Sequence, residues 1–365
     1  MPHDGTWMLR EARPEVSPHR ARFESLGVKL PERRLTTDEL LARLRHHPHI
    51  ELERLTGIRE RRVCSPGEDS YTLALAAARD CLARSAHPAS ALDMVICPSI
   101  TRYDGGPSYR FEPPFSLSIK EAIGAHRAQH LDLGNACAGM LTSVFLLDDL
   151  IRRGVIERGM VVSGENISGL GDNAAHDIRS VFSNQLASLT LGDAGAAVIV
   201  ERAPPGTPGI VLAGFTTIAE HSRLCVGFPA PTRPGAQMFT EARAIHRVAM
   251  EDAPPLVEQM LEGSGLALRD IDWCIPHQTS ARAIRAGEKT LAERFGGGPR
   301  HMVVNIEEMG NTASTTHFVA LHRYLTEKRF AAGDKVMLLS LASGLEIGVI
   351  VLVMDELVET HGRSN

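Results

Sequence analysis

One order of elements occurs twice in this chain, and that constrains the fold more than any single motif. AARDCLARSAHPASALDMVICPS (77–99) reads as a helix, a polar loop, a hydrophobic–Asp step and a strand ending at Pro. LVEQMLEGSGLALRDIDWCIPH (256–277) repeats that order. A second pair does the same: GDAGAAVIV (192–200) and SGLEIGVIVLVM (343–354) each feed a β-branched strand from a Gly turn. Residue identities differ but the order holds, which marks an internal duplication. Short apolar strands alternating with helical stretches make the chain an α/β protein. In the first half the pattern gives strands at 92–99, 130–135, 159–165 and 195–201, with helices at 70–86 and 138–154. The 138–154 helix is apolar on nearly every face until its last turn, so it is expected inside the protein. ERAPPGTPG (201–209) punctuates the chain near its middle. The expected division is an N-terminal arm at 1–21, a first half at 22–203 and a second half at 204–365. Two such halves place their strand ends around one centre, where α/β folds keep their chemistry.

Composition excludes several classes. At 365 residues with 43% apolar and 23% charged residues, the chain can bury a sizeable core. A net charge of −5 argues against nucleic-acid binding, while Arg clusters leave room for a local basic patch that an acidic carrier protein could use. The opening segment is polar and broken by prolines, with no secretory pattern. VMLLSLASGLEIGVIVLVM (336–354) has the length of a membrane span. Glu346 and the adjacent Ser-Gly argue instead for two buried strands joined by a tight turn. The cysteines (Cys64, Cys81, Cys97, Cys137, Cys225 and Cys274) show no zinc spacing and no CxxC pair, so reduced thiols, no metal and a cytoplasmic location are expected.

Three loops carry the candidate chemistry. In HLDLGNACAGML (130–141), Cys137 sits where a strand stops and the apolar helix begins. Unpaired N–H groups and the positive end of the helix favour a thiolate there, with a pKa expected in the range of roughly 3.5–7.5. Ala136, Ala138 and Gly139 leave room for a substrate. The alternative is a buried structural cysteine. A hydrolase elbow of the Gly-x-Ser/Cys-x-Gly type does not fit, because Gly134 lies three residues before Cys137. In WCIPHQTS (273–280), His277 follows a strand and precedes a helix, where it could act as a base or donate to an oxyanion. In NIEEMGNTASTTHF (305–318), Asn311 precedes small hydroxyl residues that open a helix, and a helix N-cap is the competing role.

The set is more specific than its members. Cys in GNACAGM, His in IPHQ and Asn in GNTAST, in that order, resemble the thiolase superfamily, and within it the β-ketoacyl-acyl-carrier-protein synthase III branch. LERLTGIRERR (52–62) is typical of that branch, and the resemblance runs from there to the final strand. It implies a thiolase-like fold: two duplicated α/β halves in a five-layer αβαβα core. It also implies that Cys137 takes an acyl group from a thioester. The backbone N–H of Cys137, with that of Ser343 or Gly344 in the Gly turn, would hold the oxyanion. His277 and Asn311 would polarise the second substrate as its α-carbon becomes a carbanion. No cofactor is implied; the substrates are acyl-CoA or phosphopantetheine thioesters on an acyl carrier protein. No second Cys lies in the C-terminal Gly turn, so degradative thiolase chemistry is not expected.

YRFEPPFSLSIKEAIG (109–124) bears on the subtype. Glu112 followed by Pro113 resembles head-to-head acyl-condensing enzymes of olefin biosynthesis and pyrone-forming ketosynthases, in which a Glu near this place enters the partner subunit's site as base. That reading implies a homodimer, a raised Glu112 pKa in an apolar channel and condensation without decarboxylation. An exposed loop glutamate, with decarboxylation of malonyl-carrier protein, is the alternative. Arg282 and Arg285, at i and i+3 on the helix after His277, match where the branch presents carrier-docking arginines; a solvated helix face would read the same. Acyl transfer to a hydroxyl or amine, and a non-catalytic partner subunit, are the other readings. The intact Cys, His and Asn set favours C–C bond formation over both.

Overall fold

The computed structural model describes residues 8–10 and 19–361. Two mixed sheets carry the fold. The first contains β2 (Ala21–Lys29), β5 (Met94–Cys97), β6 (Gln129–Asp132), β7 (Arg158–Glu165) and β8 (Ala194–Arg202), in the order β2-β8-β7-β5-β6. The second contains β1 (Met8–Arg10), β9 (Ile210–Thr217), β12 (Trp273–Pro276), β13 (His301–Met302), β14 (Lys335–Ala342) and β15 (Glu346–Val353), in the order β1-β9-β15-β14-β12-β13. Two small ribbons complete the strands: β3 (Arg34–Thr36) with β4 (Glu60–Arg62), and β10 (Cys225–Pro229) with β11 (Ala236–Thr240).

The duplication is exact at the level of pairing. β2-β8-β7-β5-β6 and β9-β15-β14-β12-β13 have the same sequence of antiparallel, antiparallel, parallel and parallel neighbours. Of the N-terminal arm expected at 1–21, residues 1–7 and 11–18 lie outside the described residues, while Met8–Arg10 adds an edge strand to the second sheet. The 201–209 punctuation is the connection between β8 and β9. The long apolar stretch near the C terminus is the β14–β15 pair, and among the described residues no helix is long and apolar enough to cross a membrane.

The sheets lie in five layers. The helix Ser70–Arg84 covers the outer face of the first sheet. It packs directly on backbone: a Cβ at Gly164 would lie 1.9 Å from the Ser70 carbonyl oxygen, and one at Gly195 would lie 2.3 Å from that of Leu73. The helices Gly139–Arg152 and Thr316–Thr326 fill the space between the sheets. Met140, Leu141, Val144, Leu147, Phe318 and Leu321 belong there to one buried cluster with residues of both sheets. Each such side chain contributes about 1.5–3 kcal/mol relative to exposure. The helix Ala253–Gly263 covers the second sheet from outside. The result is the αβαβα arrangement that the family resemblance implies.

Candidate active site

The two central helices are entered through matching turns. A 3-10 turn at Ala136–Ala138 precedes Gly139–Arg152, and a 3-10 turn at Ala313–Thr315 precedes Thr316–Thr326. These turns pack on each other in the middle of the molecule. Cys137 occupies the first turn. It is partly buried and rests on the apolar cluster of Ile167, Leu170, Leu191 and Ala313.

The state of the thiol differs from the expectation. Burial pushes the Cys137 thiol up, and the nearby Cys225 and Glu165 add to the effect. The helix terminus favours the thiolate, but desolvation of a lone anion outweighs it. The raised value favours the thiol over the thiolate.

His277 follows β12. Its backbone N–H donates to the Leu339 carbonyl of β14 at 2.8 Å, and β14 packs on the Cys137 turn. The Leu339 carbonyl also accepts from His317 Nε2 at 3.0 Å, and the two imidazole rings lie 5.8 Å apart. Burial, reinforced by His317, holds His277 at about 3; burial holds His317 at about 4. Both rings are neutral at physiological pH, so His277 can donate a hydrogen bond without carrying charge. Its Nδ1 is buried without a hydrogen-bond partner.

Asn311 lies beside the second turn. Its backbone N–H donates to the Thr190 carbonyl at 2.8 Å, and its Oδ1 accepts from the Ala313 N–H at 3.0 Å. That turn fixes the amide plane and leaves Nδ2 as a donor for a ligand. Asn311 does not cap the following helix, whose N-cap position is Thr315. Ser343 and Gly344 form the turn between β14 and β15, and both strands contact the Cys137 turn. Among the described residues, no hydrogen bond to another residue uses the backbone N–H of Cys137, Ser343 or Gly344. The fold thus packs the Cys137 turn against the turn that follows Asn311 and against β14, which is bonded to His277 and runs into the 343–344 turn.

The remaining expected residues lie outside it. Glu112 is exposed, next to Phe111 at 79% exposure, so within one chain it occupies no apolar channel. Arg282 and Arg285 are both exposed on the first turns of the helix Ala281–Phe295, and Arg285 sits 3.7 Å from Glu307. A surface groove of about 530 Å³ lined by Asp38, Glu51, Glu53, Arg54, Arg59 and Glu307 contains none of the central residues. Among the described residues, no group of three or more His, Cys, Asp or Glu could hold a metal ion.

Two neighbours of the site escaped sequence reasoning. Glu165 ends β7 fully buried, and Ser314 donates to it from the second turn. The one local signal for Glu165 is a carboxylate closing the otherwise apolar run GMVVSGE.

Comparisons with known proteins place the chain in a family. Residues 131–219 match the family described as 3-oxoacyl-(acyl-carrier-protein) synthase III, and residues 261–354 match the same family's C-terminal part. The chain is similar to a β-ketoacyl-acyl-carrier-protein synthase III from Symbiobacterium thermophilum: 31% identity over 340 residues, covering 90% of this chain and 96% of the relative. A synthase III from Erythrobacter litoralis is 27% identical over 333 residues, covering 90% and 98%. Among solved structures, a variant of OleA from Xanthomonas campestris superposes with a TM-score of 0.79 at 21% identity, covering 93% of this chain and 99% of that one. The synthase III of Aquifex aeolicus gives 0.77 at 23% identity, covering 92% and 100%. These structures share the thiolase-like fold. The chain is an acyltransferase and belongs to the 3-oxoacyl-(acyl-carrier-protein) synthase III family.

Proposed function

We propose that the protein joins two acyl thioesters by Claisen condensation through an acyl-Cys137 intermediate. The observation that carries this reading is the packing of the Cys137 turn against the Ala313–Thr315 turn beside Asn311 and against β14, whose Leu339 carbonyl accepts from the His277 N–H. In the first step the Cys137 sulfur attacks the thioester carbonyl. The donor's C–S bond breaks and the leaving thiol takes the Cys137 proton. The free N–H groups of Cys137 and of Ser343 or Gly344 receive the oxyanion, and losing one such donor typically costs about 3–4 kcal/mol. In the second step the α-carbon of a second thioester loses a proton, with His277 and Asn311 Nδ2 donating to its oxygen. The carbanion attacks the acyl-Cys carbonyl, a C–C bond forms, and the Cys137 sulfur leaves.

Glu112 is the proposed base for that proton, supplied across a homodimer. Two features support this. β6 is the edge of the first sheet, with Gln129, His130 and Leu131 exposed and unpaired on one side, which suits pairing with a second copy. Asp132, at the end of β6, accepts from the N–H groups of Phe115 and Ser116 and so ties the Glu112 loop to that edge. Pairing through β6 would carry Glu112, Tyr109 and Phe111 towards the partner. Acyl-CoA and acyl-carrier thioesters are the proposed substrates, with Arg282 and Arg285 as the carrier-docking pair, in a cytoplasmic enzyme.

Glu112 exposed on its own chain equally suits an enzyme whose carbanion comes from malonyl decarboxylation. Incubation with two saturated acyl-CoA molecules and no malonyl donor separates the readings. A β-keto product that disappears in Glu112→Ala supports the non-decarboxylative route. Condensation that requires a malonyl donor, and proceeds normally in Glu112→Ala, replaces it with the decarboxylative one.

A further inference from the structure

Glu165 is completely buried, yet neither chemical step above uses it. Its Oε1 accepts from the Ile100 N–H at 3.0 Å, from the Ser163 hydroxyl at 3.4 Å and from the Ser314 hydroxyl. Its Oε2 accepts from the Thr101 N–H and hydroxyl, both at 3.1 Å. These donors come from three segments. Ile100 and Cys137 pack on the same apolar cluster, which includes Ala313. Ser314 lies three residues beyond Asn311 and belongs to the other half of the duplication. One carboxylate oxygen thus holds a wall of the cysteine site from the first half and the asparagine turn from the second.

The duplication sharpens this. Ser314 holds in its half the place Cys137 holds in the other: each is the central residue of a 3-10 turn, preceded by an alanine with positive φ. The strand facing the Cys137 turn is β14, which ends at Ala342 before the open Ser343–Gly344 turn. The strand facing the Ser314 turn is β7, which ends at Glu165. Where one half presents a nucleophile to free N–H groups, the other locks a hydroxyl onto a carboxylate.

We propose that Glu165 is a positioning residue of the active site: it locks the Ser314 turn, thereby setting the Asn311 amide and the wall at Cys137, and it fixes a negative charge beside the thiol. The inference rests on Cys137 being the acyl carrier. Burial pushes the Glu165 carboxyl up, against the donors from Ile100, Ser314 and Thr101, which favour the carboxylate form. In E165Q either orientation of the amide sets an NH₂ donor against donors that the carboxylate now accepts.

Two measurements on full-length wild type, E165Q and S314A test it. The first is the pH dependence of Cys137 alkylation by iodoacetamide, read by peptide mass. The second is kcat and KM for condensation of acyl-CoA. E165Q should move the alkylation midpoint down by at least about half a pH unit, because a neighbouring negative charge is gone. Its kcat should fall about tenfold or more, a change of transition-state positioning, with KM within about twofold. S314A keeps the carboxylate, so its alkylation curve should match wild type while its kcat falls. An unmoved alkylation curve or a wild-type kcat in E165Q overturns the proposal. If circular dichroism shows that E165Q does not fold, a wild-type kcat in S314A overturns it instead. Wild-type Cys137 that alkylates but accepts no acyl group from a thioester would defeat the functional reading, a result distinct from either.

Discussion

Ala136 and Ala313 share an uncommon backbone conformation, with φ of +43° and +53°, one residue before Cys137 and Ser314. Neither is glycine, so each holds a left-handed conformation that costs roughly 1–2 kcal/mol for an L-residue. The same strain at the same step of both halves is what remains of the duplication at its functional centre. It turns each chain segment sharply into the buried helix, and the two turns pack against each other.

The Ala313 site separates strain from packing. Ala313→Gly relieves the backbone but removes a methyl packed on Ile167, Leu170 and Leu191, so urea unfolding should move its midpoint little. Ala313→Val puts a β-branched residue at positive φ in a filled space and should lose about 2 kcal/mol or more at an unchanged denaturant slope. A valine variant as stable as wild type would show that the turn can relax.

His277 should matter for the second step and not the first. His277→Ala should still acquire the acyl group, while condensation falls by about 10²–10³, the usual effect of losing one oxyanion donor. With His277 held at about 3, its proton does not change between pH 5 and 8. The pH profile of condensation should therefore lack a limb near the ordinary histidine value. A limb near pH 6.5 that disappears in His277→Ala would contradict the neutral-donor role.

Much of this was legible in the sequence because it is local or periodic. The β14–β15 pair follows from a long apolar run interrupted at Ser343–Gly344, Cys137 and His277 announce themselves at strand ends, and Asn311 by the small hydroxyl residues that open the helix after it. Glu165 was not legible: a carboxylate closing a strand reads alike whether it meets solvent or Ser314, and those two are 149 positions apart in the chain. The protonation of Cys137 was misjudged for the same reason. The helix terminus that lowers its pKa is visible in sequence, whereas the walls that desolvate it come from Ile100, Ala236, Met238 and Ala313, far away along the chain. Likewise, the exposure of Glu112 depends on which surface its loop faces.

Buried neutral histidines should also make the fold acid-sensitive. Burial holds His277 and His361 at about 3 and His317 and His322 at about 4, all below the unfolded value near 6.5. Between those limits the unfolded chain binds more protons than the native one, so stability is full above about pH 6.5 and falls as pH falls. Each such histidine adds at most about 1.4 kcal/mol per pH unit within that window. His322 and His361 pack edge to face at 4.7 Å beside Asp80 and Arg84, away from the active site. A His322→Phe, His361→Phe double variant should show a shallower loss of urea midpoint between pH 7 and 5 than wild type. An identical slope would mean that these two rings find proton acceptors in the native state.

The most direct measurement is the intact mass of the protein after incubation with an acyl-CoA thioester, for wild type and Cys137→Ala. Wild type should gain the mass of one acyl group per chain, released by hydroxylamine, and Cys137→Ala should gain none. An adduct that persists in Cys137→Ala, or a wild type that takes up no acyl group across a range of chain lengths, would contradict an acyl-Cys137 enzyme.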